Sequence, residues 1–269
     1  MLFKSSQTGL IGGNVRQDVM LTATATKENG QMSGSRKPIY PSFSRQVIII
    51  VGGFGSGKTE ISVNLAKFLT TSQKKPVTIV DLDLVNPYFR SREAVNELER
   101  LGIRVIAPHG EQFHADLPIL LPEVKGAIED RNGYLILDVG GDSQGTKALG
   151  SLTVADKTDD YDMLIVVNSR RPATADIATS LATMRRIEDT SRLKFTGLIS
   201  NSHLIDETDY EVIREGYELV KELGKITNLP VQFVSARKDI LHEIDTNEIK
   251  CPVLPLARSM LKPWERGTD

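Results

Sequence analysis

Residues 47–62 read Val47-Ile48-Ile49-Ile50-Val51-Gly52-Gly53-Phe54-Gly55-Ser56-Gly57-Lys58-Thr59-Glu60-Ile61-Ser62. An apolar, β-branched run enters a glycine-rich loop, and an amphipathic stretch from Glu60 to Thr70 leaves it. Residues 52–59 fit G-x-x-x-x-G-K-[ST] in the strand–loop–helix setting that this pattern needs. Glycines let consecutive backbone N–H groups turn inward around a phosphate, since no Cβ blocks positive φ angles. A helix beginning near Gly57 aims its partial positive end at the same anion. Residues 53–60 (Gly53, Phe54, Gly55, Ser56, Gly57, Lys58, Thr59 and Glu60) are therefore expected to cradle a nucleotide. Lys58 is expected to reach the β- and γ-phosphates, and the Thr59 hydroxyl to ligate Mg²⁺.

Composition narrows what can surround this loop. The chain has 269 residues, 40% of them hydrophobic, enough to fill a sizeable core. A net charge of −2 gives no sign of a nucleic-acid surface. A single cysteine, Cys251, rules out an intrachain disulfide framework and any C-x-x-C metal pair, which fits a cytoplasmic setting. No run approaches the ~18 apolar residues of a membrane span. Residues 1–43, rich in Ser, Thr, Gly, Gln, Asn and Lys, read as a disordered tail, with one domain over residues 44–269.

From Ser44 onward, short Val/Ile/Leu runs alternate with helical stretches. Strands are expected over 47–51, 77–82, 104–107, 134–137, 163–167, 195–199 and 231–234. Helices are expected over 57–70, 91–101, 118–129, 174–188 and 209–223. Continuous apolar strands suit burial on both faces of a parallel sheet. The fold class is therefore α/β: three layers around a mostly parallel sheet of seven or so strands. Residues 239–269, punctuated by prolines, are expected to hold one short helix and loops.

In such sheets ligands sit beyond the carboxyl ends of the strands, so the residues there belong together. After the second strand, Asp81 and Asp83 fall two apart and share a side if the strand persists. Near a Mg²⁺–phosphate centre they could hold a metal-bound water or orient the attacking one; an Asn-Pro turn is the ordinary alternative. Tyr88, Phe89 and Arg90 follow, a pattern that reads as a switch segment. After the fourth strand, Asp138-Val139-Gly140-Gly141 places a second-sphere Mg²⁺ carboxylate at Asp138 and a γ-phosphate-sensing N–H at Gly141. Asn201 after the sixth strand, and Ser235 and Ala236 after the seventh, fall where a base would sit. Asn201 could read a purine or simply cap a turn. Specificity for guanine often uses N-K-x-D. Here the tetrad is Asn201-Ser202-His203-Leu204, which favours ATP over GTP. His109, Glu111, His114 and Asp116 could hold a metal, although a polar loop explains them as well.

The phosphate loop, the Asp-x-Asp, the strand-end Asp-x-x-Gly and the late strand-end Asn together resemble the MinD/ParA/CobQ-like P-loop ATPases. These are of one class with the signal-recognition and metallochaperone NTPases. The resemblance covers about Gln46 to Ser235. It implies phosphate and Mg²⁺ binding by Lys58 and Thr59, a water-orienting and metal-linked role for Asp83, Mg²⁺ support from Asp138 and an adenine contact at Asn201. Many relatives carry a lysine where this chain has Gly53, so the lysine bridge of their nucleotide-sandwich dimer is missing, while a homodimer stays among the partners the resemblance implies. The resemblance implies a Mg²⁺-dependent ATPase that switches a partner protein. The alternatives are a GTP-dependent metallochaperone and a small-molecule ligase or kinase.

Overall fold

The run that opens the phosphate loop becomes β1 (Val47–Gly52), buried along its whole length at the middle of the sheet. The computed structural model describes residues 39–83, 92–107, 122–130, 132–152 and 160–258. Tyr88 to Arg90 and the stretch from His109 to Asp116 lie outside the described residues, as does all but the last few positions of the expected tail.

Eight strands form one sheet: β1, β2 (Val77–Leu82), β3 (Ile103–Ile106), β4 (Tyr134–Gly140), β5 (Tyr161–Val167), β6 (Gly197–Ser200), β7 (Val231–Arg237) and β8 (Val253–Leu256). Their order is β3-β2-β4-β1-β5-β6-β7-β8 and every pairing is parallel. The α/β three-layer class expected from the sequence is the observed one. The helices are α1 (Lys58–Gln73), α2 (Arg92–Arg100), α3 over residues 122–129, α4 (Ser143–Ser151), α5 (Ile177–Ser191) and α6 (Tyr210–Thr227).

Alternation along each strand divides the core in two. Ile48 and Ile50 join Ile79, Ile136 and the α1 residues Ile61, Leu65 and Leu69 on one face. Val47, Ile49 and Val51 join Leu137, Val139, Met184 and Ile187 on the other. Successive Cβ atoms point to opposite faces, so strands apolar at every position require cover on both sides. Removing one such side chain to Ala costs about 2–5 kcal/mol.

Two elements escape the sequence pattern. Strand β8 carries Pro255 and was read as loop. It survives as the edge strand, where a missing N–H on the outer side breaks no ladder bond. Helix α4 is poor in apolar residues and holds Gly145 and Gly150. Its start is fixed by Asp142, whose carboxylate accepts the N–H groups of Gln144 and Gly145 at 2.7 and 3.1 Å. Residues 39–43 also dock on the domain. Val253 N–H donates to Ile39 O (2.7 Å), Tyr134 Oη to Phe43 O (3.1 Å), and the Phe43 ring meets Phe233 edge-on.

Candidate nucleotide site

Five carbonyls of the loop after β1 are each taken by a donor. Gly52 O accepts from Gly141 N–H (3.0 Å), Gly53 O from Ser56 N–H (3.1 Å) and Gly57 O from Ile61 N–H (3.0 Å). Gly55 O accepts from Arg171 Nε (3.0 Å) and Ser56 O from Asn201 Nδ2 (2.7 Å). A peptide whose C=O points out points its N–H in, so the bracing leaves a nest of amides for an anion. Gly57 has φ +88° and begins α1. A Cβ there would stand 2.2 Å from Asn201 Nδ2, so both backbone and space require glycine.

The register of the central strands brings the charges together. Asp138 is paired with Ile50 on β1 and with Asp81 on β2. All three share the face that packs on α1, directly beneath Lys58 and Thr59. Lys58 Nζ donates to Asp83 Oδ2 at 2.5 Å, and both side chains are almost fully buried. Asp81 acts through the backbone, accepting the Asp83 N–H (2.9 Å) and so fixing where Asp83 points. Burial works to lower the Lys58 pKa, but Asp138, Asp83 and Asp81 outweigh it and hold the amine charged. Burial pushes Asp138 up to about 6; the charge of Lys58 opposes this, and that of Asp83 adds to it.

The Asp138 carboxylate is fully buried beside the Thr59 and Ser62 hydroxyls, neither of which makes a well-formed hydrogen bond to it; the buried Ser56 hydroxyl has no partner. Ser62 Oγ donates to Lys58 O at 2.9 Å. A buried carboxylate so weakly satisfied calls for a further partner. A hydrated cation between Thr59 and Asp138 would meet that need, so these residues fit Mg²⁺. Among the described residues no group of three or more His, Cys, Asp or Glu is placed to hold a metal ion. Mg²⁺ keeps waters and takes phosphate oxygens rather than an all-protein cage.

From this corner a cavity of about 690 Å³ extends along the ends of β6, β7 and β8. Lys58, Thr59 and Asp83 lie at one end; Asn201, His203, Asp206, Ser235, Asp239 and Arg258 line the other. The volume suits a nucleotide-sized ligand. Phe54 lines the mouth and is 81% exposed. Glu60 lines the wall, and its carboxylate accepts from Asn64 Nδ2 (2.9 Å).

Several expected residues hold places more specific than the sequence indicated. Asn201 is buried, with Nδ2 on Ser56 O and Oδ1 accepting from Ser235 Oγ. One amide hydrogen and one lone pair remain for a base. The Gly141 N–H is held by Gly52 O, and a Cβ there would lie 2.5 Å from that oxygen. A Cβ at Gly53 would meet the Ala173 Cβ at 2.7 Å, so this loop has no room for the lysine of the resembled family. Sequence reading missed Arg171, Asp206, Asp239 and the wall at Leu256–Arg258. The last is held by Asn64, whose amide accepts from Ala257 N–H (2.8 Å) and donates to Ala257 O (3.0 Å). The acidic residues carried a legible signal, since carboxylates shortly after the sixth and seventh strands fall in the base region.

The fold is a three-layer α/β one around an all-parallel sheet, with the glycine-rich loop at the carboxyl end of β1. No family model matches the chain. Over 212 residues it is 27% identical to the signal recognition particle protein of Mycoplasma mycoides, a match covering 77% of this chain and 41% of that protein. The cell division protein FtsY of Thermotoga maritima superposes with a TM-score of 0.48 at 20% identity, covering 74% of this chain and 64% of that one. FtsY of Elizabethkingia anophelis in complex with GDP gives a TM-score of 0.46 at 17% identity, covering 77% and 59%. The likeness to these structures is one of fold, and the chain spans less than two-thirds of each relative. No described helix is long and apolar enough to cross a membrane.

Proposed function

We propose that the protein is a Mg²⁺-dependent nucleoside triphosphatase that hydrolyses GTP and switches a partner protein between nucleotide states. The observation that carries the reading is the buried Lys58–Asp83 pair at 2.5 Å, beneath a loop whose carbonyls are braced outward. Asp83 holds the amine that a triphosphate would need. Phosphate oxygens would draw Lys58 away and leave Asp83 to orient the attacking water. Water adds to the γ-phosphorus as the bond to the bridging oxygen breaks, giving the diphosphate and inorganic phosphate. Charge building on the phosphate oxygens meets Lys58 and the loop amides, which are already in place. The Thr59 hydroxyl and Asp138 would hold Mg²⁺, which would supply further positive charge to the phosphate groups. Breaking and remaking the Lys58–Asp83 contact gives the cycle two states that the chain after Asp83 can report to a partner.

The base assignment differs from the ATP expected from the sequence. That expectation rested on a missing tetrad carboxylate. Asp206 and Asp239 reach the far end of the cavity from other positions. A carboxylate only accepts hydrogen bonds. It suits the N–H edge of guanine, whereas the edge of adenine offers it an acceptor as well as a donor. Competition of GTP and ATP for a fluorescent nucleotide tests the base, and phosphate release tests the reaction. Equal or tighter binding of ATP would overturn the guanine assignment, and no phosphate release with either nucleotide would overturn the triphosphatase.

A further inference from the structure

The segment after β5 carries two adjacent arginines that the reading above does not use. Arg170 turns outward to Glu215, Nη2 to Oε2 at 2.5 Å. Arg171 turns the other way and lays its guanidinium over the phosphate loop. Its Nε donates to Gly55 O at 3.0 Å, and a Cβ built on Gly55 would touch its Nε, Cδ and Cζ at 3.3–3.5 Å.

Gly55 is the loop residue most in need of such a partner. Its φ is +73°, in the left-handed region, and its carbonyl points out of the loop to Arg171. An outward carbonyl without a donor could flip back and distort the turn that Ser56 N–H closes onto Gly53 O. The mount beneath Arg171 is stiff. Arg171 N–H donates to Asn168 O (3.0 Å) and Thr174 N–H to Arg171 O (3.0 Å). Thr174 Oγ1 spans Asn168 N and O at 3.1 and 3.0 Å, and Thr174 and Asn168 are fully buried. Arg171 N–H and Nε therefore work in series, from a locked turn to a strained loop peptide. The same guanidinium lies close enough to His203, which stands beside Gly57, to disfavour its protonation.

We propose that Arg171 is a positioning residue of the phosphate site. By bonding Gly55 O it holds the turn from Gly53 to Gly57, which Ser56 N–H closes onto Gly53 O, in the shape that presents the remaining loop amides to the β-phosphate. It acts on binding, since the nest is the same before and after the γ-phosphate leaves. The inference rests on the nucleotide reading of the site.

The test compares unaltered protein with Arg171→Ala, Arg171→Lys and Arg171→Gln. It measures Kd for GDP and GTP, together with kcat and KM, well below the melting temperature of each. A hydrogen bond from a charged donor predicts that Arg171→Ala raises Kd for both nucleotides about tenfold or more, with KM rising alike and kcat within about twofold. Arg171→Lys and Arg171→Gln, which can still donate to Gly55 O, recover part of the affinity, whatever their melting temperatures. Unchanged Kd in Arg171→Ala overturns the proposal. So does a loss of kcat at constant KM, which would make Arg171 a transition-state group. Failure of the unaltered protein to bind either nucleotide overturns the functional reading itself, and the proposal with it.

Discussion

Asn201 Nδ2 lies 2.7 Å from the carbonyl oxygen of Ser56, tying the end of β6 to a loop 145 residues earlier in the chain. The other end of the same amide accepts the Ser235 hydroxyl at the end of β7. One buried side chain thus fixes three strand ends around the cavity.

Replacing Asn201 by Ala should remove this knot. The Ser56 carbonyl and Ser235 hydroxyl would lose their partner in a buried place, at a cost of about 1–3 kcal/mol by urea denaturation. Affinity for GTP and ATP should fall by similar factors, because the loop and not the base is affected. A selective loss of one nucleotide would instead make Asn201 a base reader.

Lys58→Ala should abolish nucleotide binding in calorimetry, since the buried amine beneath the nest is gone. Asp83→Ala should bind nucleotide at least as well as the unaltered protein, because Lys58 no longer has to leave a buried partner. Its phosphate release should stop. Normal turnover in Asp83→Ala would refute the water-orienting role.

Asp239→Asn and Asp206→Asn should shift base preference. At the carboxylate that meets the guanine edge, the change to an amide should weaken GTP about tenfold relative to ATP, at unchanged fold stability. Asp239 is also paired with Arg237, which keeps its pKa below the usual carboxylate range. If neither variant alters the GTP-to-ATP affinity ratio, the base is read elsewhere.

His203 gives a pH signature. Burial, with Arg171 adding to it, holds its pKa below the ordinary 6.5. As pH falls through 6.5 the unfolded chain takes up a proton that the folded chain refuses. Stability should therefore decline below about pH 6.5. His203→Gln should flatten that part of a melting-temperature profile. An identical profile in the variant would show that His203 does not contribute.

Much of this was readable in the chain because the information is local. The apolar run into Gly52 and the G-K-T turn define strand, loop and helix without help from elsewhere. Asp138 was legible because a carboxylate closing an apolar strand is out of place unless it meets a charge. Other features depend on distant partners. Pro255 reads as a breaker until its edge position is known. Arg171 is one of two neighbouring arginines, and only the turn built on Asn168 decides which of them faces the loop. Asn201 looks like a base contact until its amide is seen on Ser56 O. The absence of an N-K-x-D tetrad misled for the same reason, since Asp206 and Asp239 reach the cavity from other parts of the chain.

The two hydrogen bonds between Asn64 and Ala257 join the first helix to the chain just beyond the last strand. They also hold Leu256, Ala257 and Arg258 against the cavity. During synthesis the phosphate loop leaves the ribosome some two hundred residues before this wall does. A nascent chain could therefore grip phosphates early but could not enclose a base until residue 258 had docked. The competence to tell one nucleotide from another thus arrives late, as a mark that the domain is complete.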